Sequence, residues 1–184
     1  MITVHELCKR FGEHVVFDRF SCQIPLDGNT VLRGASGSGK TTLLRMLAGL
    51  LTPDSGEIRG LDGLYAAFVF QEDRLLPWYT AEKNVALVSD VGRASTLLGD
   101  LGLGEALREK PAALSGGMKR RVAIARALAF QSDMLLLDEP FAGLDDDAKR
   151  RVAEALHASG LPIIAAVHSD EESALLKATT ILRI

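Results

Sequence analysis

Residues 34 to 41 read Gly-Ala-Ser-Gly-Ser-Gly-Lys-Thr, which satisfies G-x-x-x-x-G-K-[ST]. Gly34, Ala35, Ser36, Gly37, Ser38 and Gly39 form a loop whose backbone N–H groups can curl around an anion without a Cβ in the way. An apolar helical pattern starts at Lys40, so a helix N-terminus adds partial positive charge at the same place. Lys40 is placed to reach the β and γ phosphates of a nucleotide, and the Thr41 hydroxyl to ligate Mg²⁺. Thr42 continues the first turn and joins the nucleotide-binding set. The competing reading is a Gly/Ser-rich turn that matches by accident, and the flanking strand and helix patterns weigh against it. A phosphate cradle by itself specifies a nucleotide and no particular enzyme. Arg33, just ahead of the loop, stands where an apolar strand end is expected.

Four further places carry chemistry. The apolar run Met134-Leu135-Leu136-Leu137 ends in Asp138 and Glu139. Asp138 can hold Mg²⁺ through water, and Glu139 is the candidate general base or polariser for an attacking water. Neighbouring residues on a strand face opposite ways, so the two acids should not share one task. Ser115, ahead of Gly116-Gly117, can cap a following helix and leave free N–H groups at its start. His168 closes a second apolar run, and Gln71 follows a third, Ala66 to Phe70. Read alone, the acids could end a strand at the surface, Ser115 could be a plain cap and His168 a satisfied core residue.

These residues need elements to hold them. Residues 2 to 33 alternate in short runs broken by Gly12, Pro25 and Gly28, the pattern of strands and hairpins. Residues 40 to 51 are apolar nearly all round and stop at Thr52-Pro53, as a buried helix would. The texture from about 72 to 130 is helical. Strands at 66–70, 134–138, 162–168 and 179–184 then alternate with helices near 145–158 and 170–177. Such alternation implies a right-handed, mostly parallel α/β sheet.

The motifs together resemble the ATPases of ABC transporters, over essentially the whole chain and in the right order. Leu114-Ser115-Gly116-Gly117-Met118 and the following KRRVAIARAL are similar to the family's LSGGQ signature, with Met118 in place of Gln. The resemblance implies an α/β P-loop cassette. Its RecA-like core would carry a small antiparallel β subdomain and an inserted helical subdomain near 72–130, all in one domain of 1–184. It implies ATP and Mg²⁺ as ligands. Phe11 would stack on adenine with Val16 beside it, a plain core Phe being the alternative. Gln71 and His168 would meet the metal, the water and the γ phosphate.

Ser115, Gly116, Gly117 and Asp145 would act across a head-to-tail dimer, on ATP held by the second copy. Transmembrane permease subunits and, indirectly, a solute-binding protein are the other implied partners. Gln71 to Trp78 and Ala81 to Leu87 resemble the nitrate, sulfonate and taurine importer branch, which includes importers of thiamine precursors. Trp78 with Leu75 and Leu76 would line the groove for a coupling helix, or else be buried among the helices. The short chain end implies no C-terminal regulatory extension.

Composition agrees. The apolar share of 47% and charged share of 24% are those of a globular domain. A net charge of −3 advertises no nucleic acid. The basic run Lys119-Arg120-Arg121 reads as a solvated helix face. Cys8 and Cys22 lack metal-ligand spacing, which suits a reducing compartment. With no signal-peptide layout, the expected place is the cytoplasmic face of the membrane. Competing classes are an exporter motor, a repair or ribosome-associated ABC ATPase, and a small-molecule kinase.

Overall fold

A computed structural model describes residues 1–184. Along the chain run β1 (Ile2–Phe11), β2 (His14–Ile24), β3 (Thr30–Arg33), α1 (Lys40–Leu47), β4 (Ser55–Arg59) and β5 (Ala66–Val69). There follow α2 (Ala81–Ala86), α3 (Val91–Asp100), α4 (Gly116–Ala129), β6 (Met134–Asp138), α5 (Asp146–Ala158), β7 (Ile163–Ala166), α6 (Asp170–Leu175) and β8 (Thr180–Arg183).

β6 is buried at every position, as a continuous apolar run in a parallel sheet should be. Its side chains alternate between two cores. Leu135 and Leu137 pack with the helices α2 to α5, while Met134 and Leu136 pack with α1 and the N-terminal strands. β7 repeats the alternation through Ile163/Ala165 and Ile164/Ala166. The sheet order is β5-β6-β7-β3-β8, all parallel. Four carboxyl ends therefore stand side by side, which is where ligands bind in open α/β sheets. Gln71 follows β5, Asp138 and Glu139 end β6, His168 follows β7, and the glycine loop follows β3.

The second sheet is antiparallel, in the order β2-β1-β4. The α/β core with its small antiparallel sheet and packed helices is the architecture expected. No helix is long and apolar enough to cross a membrane.

Three expectations need correction. α1 ends at Leu47, short of Pro53, because Gly49 takes the left-handed conformation at φ 68°. The Gly49 and Leu50 N–H groups then donate to Met46 O and Arg45 O, a Schellman stop that only glycine reaches cheaply. Residues 72–80 are irregular, with no helix before Ala81. Asn84, fully buried, holds that stretch by accepting from Leu76 N and donating to Leu76 O and Thr80 O. The basic run is no solvated face either: Arg120 is 3% exposed and Lys119 and Arg121 are half-buried.

Candidate active site

Gly39 sits at φ 106° and N-caps α1 with no side-chain partner, so the first-turn N–H groups are left for a ligand. A Cβ there would come within 2.7 Å of Phe17 and 2.8 Å of Val16. The loop is thus pressed against β2, and this contact brings the N-terminal sheet to the site. Lys40 is 6% exposed, and its ammonium donates to Gly34 O and Ala35 O at 2.8 and 2.9 Å. A lysine folded over its own loop needs only a rotation to exchange those carbonyls for phosphate oxygens.

Phe11, Val16, Ser36, Gly37, Gly39, Lys40, Thr41, Thr42, Gln71, Glu139 and His168 line one cavity of about 230 Å³. Phe11 is 50% exposed, so its ring is no core residue. His168 is also exposed, and its Nε2 lies 2.8 Å from Glu139 Oε1. Glu139 itself departs from the strand at φ 53°, a conformation that costs a non-glycine residue energy and clusters at functional sites. That turn, rather than simple strand alternation, separates the two acids.

Asp138 is 1% exposed. Its Oδ1 accepts from the Thr41 hydroxyl at 3.0 Å, while its Oδ2 is buried with no partner. Burial raises the Asp138 pKa; the Thr41 hydrogen bond opposes this and the Glu139 charge adds to it. A buried carboxylate oxygen without a partner, beside a hydroxyl, fits the hard-oxygen preference of a small divalent cation. The sign of the shift gives a test. For an acid whose folded pKa is raised, ionisation costs stability as pH rises past its unfolded value, and fully so above the folded one. Asp138→Asn should therefore raise the nucleotide-free melting temperature near pH 8. Calorimetry without nucleotide checks it, and a lower melting temperature contradicts it.

The remaining expected residues lie elsewhere. Ser115, Gly116, Gly117 and Asp145 line a second, open cleft of about 600 Å³. Ser115 caps α4 by accepting from Met118 N at 3.2 Å, and Asp145 caps α5 by accepting from Ala148 N at 2.8 Å. A Cβ on Gly117 would lie 3.1 Å from Gly143 O, so the first turn of α4 touches the loop ahead of Asp145. Gln71 alone among the expected residues borders both cavities.

Sequence reasoning missed three neighbours. Arg33 Nη1 reaches Asp170 at 2.6 Å and Ser173 at 3.2 Å, tying the strand before the glycine loop to α6. Glu172 accepts from the His168 N–H at 2.9 Å. Arg120 bonds carbonyls at the ends of β5 and β6. The one available signal was Arg33, an arginine at an apolar strand end.

A family model for the ABC transporter matches residues 17–142. The chain belongs to the ABC transporter family. This cassette therefore binds and hydrolyses ATP. It is 42% identical, over 98% of its length and 69% of the relative's, to the aliphatic sulfonates import ATP-binding protein SsuB 1 of Pseudomonas syringae pv. tomato. A relative from Paraburkholderia xenovorans, aliphatic sulfonates import ATP-binding protein SsuB 3, is 43% identical over 98% of the cassette and 75% of its own chain. Among solved structures, the ATP-binding cassette MJ0796, a dimer in a post-hydrolysis state bound to ADP and Pi, superposes with TM-score 0.89. That match is 27% identical and covers 100% of this cassette and 94% of MJ0796.

Proposed function

We propose that this chain is the ATP-hydrolysing subunit of a membrane importer of aliphatic sulfonates, and that it works as a head-to-tail dimer. One observation carries the dimer: the phosphate cradle and the Ser115 face open as two separate cavities on one chain. Neither completes a hydrolytic site alone. Two copies related by a two-fold axis would set each face against the other's cradle, an isologous arrangement that closes.

In this reading the Gly34–Gly39 amides, the α1 N-terminus and Lys40 bind the phosphates of ATP. Phe11 stacks on adenine, a contact tolerant of ring type, and Val16 packs beside it. Thr41 and Asp138, with Gln71, would hold Mg²⁺. When bound, the ion supplies charge neutralisation on the phosphate oxygens. Glu139 orients and deprotonates the attacking water, and His168 fixes the Glu139 carboxylate through Nε2. From the second copy, Ser115 and the Gly116 and Gly117 amides contact the γ phosphate, with Asp145 at the seam. Loss of that phosphate removes the contact and reopens the pair.

The permease would seat on the helical face. An apolar groove of about 270 Å³ is lined by Leu50, Phe68, Phe70, Val88 and Phe130. Nearby in sequence, Trp78 is 62% exposed, against the alternative that it is buried among the helices. A short amphipathic permease helix fits such a groove. The sulfonate assignment is supported by relatives 42% identical over nearly the whole chain. Removing the encoding gene from its own source should abolish growth on an alkanesulfonate as the only sulfur supply and leave growth on sulfate intact. Unimpaired growth on the sulfonate would overturn the cargo, and loss of growth on both would point to a different one.

A further inference from the structure

Among the residues the hydrolytic reading does not use, one is buried, charged and joined to three separate elements. Arg120 lies on the second turn of α4, the helix that Ser115 caps. Its guanidinium donates to Phe70 O at 2.5 Å, Asp138 O at 3.2 Å and Glu139 O at 2.9 Å. Asp73 Oδ1 stands 3.4 Å away and balances the charge. Arg126, two turns along the same helix, donates to Asp73 O and Arg74 O. The Gln71 segment is thus gripped by α4 at both sides of Gln71, and the Glu139 peptide is gripped from the same helix.

We propose that Arg120 is a positioning residue for hydrolysis, holding the Glu139 and Gln71 backbones in working register with the Ser115 helix.

Glu139 keeps φ 53° only if its surroundings enforce it. Its N–H donates to Ala166 O at 3.1 Å, and its carbonyl is held by Arg120. A planar fork of five donors can satisfy three carbonyls at once, which a lysine ammonium or a glutamine amide cannot do with the same directions. Movement of α4, whose N-terminus meets the second copy in the proposed dimer, would be passed through one rigid group to the general base and to Gln71. Such an effect falls on the chemical step and spares ATP binding, because the guanidinium touches none of Lys40, Thr41 or the glycine loop and meets Asp138 only at its backbone carbonyl, the carboxylate being held by Thr41.

The inference rests on the hydrolytic role proposed for Glu139, so that variant is run beside it. The experiment measures kcat, KM for Mg·ATP, and binding of a fluorescent ATP analogue for Arg120→Lys, Arg120→Gln and Asp73→Asn, with melting curves for each. Both Arg120 variants should lose at least about tenfold in kcat while KM and analogue affinity stay within about twofold. Asp73→Asn keeps all three carbonyl bonds and should keep kcat within about twofold. A folded Arg120→Lys or Arg120→Gln with parental kcat overturns the proposal, and so does Asp73→Asn if it is as damaging as either. If one Arg120 variant fails to fold, the other decides. Parental turnover by Glu139→Gln would instead sink the hydrolytic reading itself, leaving any Arg120 effect to be explained by structure alone.

Discussion

Glu139→Gln should reduce ATP turnover by a factor on the order of 10²–10⁴, the contribution expected of a positioned general base. The substitution keeps the shape and the hydrogen-bond reach of the side chain, so the strained backbone at residue 139 is undisturbed. It removes the negative charge that His168 Nε2 faces at 2.8 Å and that an attacking water would need. In the proposed site ATP is held by the glycine loop, Lys40 and Phe11, none of which contacts residue 139 by hydrogen bond. The variant should therefore bind ATP, close around it and fail to reopen. Light scattering would record the mass of a dimer with Mg·ATP and of a monomer without it. Parental turnover by this variant would remove Glu139 from the mechanism.

The second large effect is expected at a residue far from the cradle. Ser115→Asp retains a side-chain oxygen to cap α4, and aspartate is as good at that position as serine. A negative charge at a helix N-terminus is also mildly favourable. Folding and ATP binding by the single chain should be unchanged. Opposite a γ phosphate, however, the new carboxylate repels, and within a closed interface that repulsion is poorly screened. Hydrolysis should fall by roughly 10²-fold, a loss of about 2.7 kcal/mol in transition-state stabilisation. Ser115→Asn, equally able to cap and uncharged, should retain most of the rate. Parental turnover by Ser115→Asp would mean that the serine serves the fold alone.

Phosphate chemistry is legible in a sequence because its parts are contiguous. The glycine loop and Lys40, the acids at 138 and 139, and Ser115 with its glycines each sit in one short run. Their order along the chain followed the resemblance, and the parallel sheet followed from the alternation of apolar runs with helices. What escaped notice depends on contacts between distant segments. Arg120 looked like one member of a basic run because its partners are carbonyls at residues 70, 138 and 139, which no side-chain pattern reports. Arg33 is explained by Asp170 and Ser173, some 140 residues away in sequence. The irregular stretch at 72–80 reads as helical in composition, and buried Asn84 decides otherwise by bonding Leu76 and Thr80. The end of α1 was misplaced for a local reason: Gly49 stops the helix before Pro53 can.

The central claim is that each hydrolytic site is built from two copies, and mixing two inactive variants tests it most directly. Glu139→Gln and Ser115→Asp are mixed in equal amounts before Mg·ATP is added, and the initial rate, taken before closed Glu139→Gln homodimers accumulate, is compared with that of each alone. In a mixed dimer one site takes its cradle and Glu139 from the Ser115→Asp chain and its serine from the Glu139→Gln chain, so that site is intact. Random pairing makes half the dimers mixed, each with one intact site of two, so about a quarter of the parental rate should return. A mixture no faster than the average of its two components would contradict the shared site and place the whole reaction within a single chain.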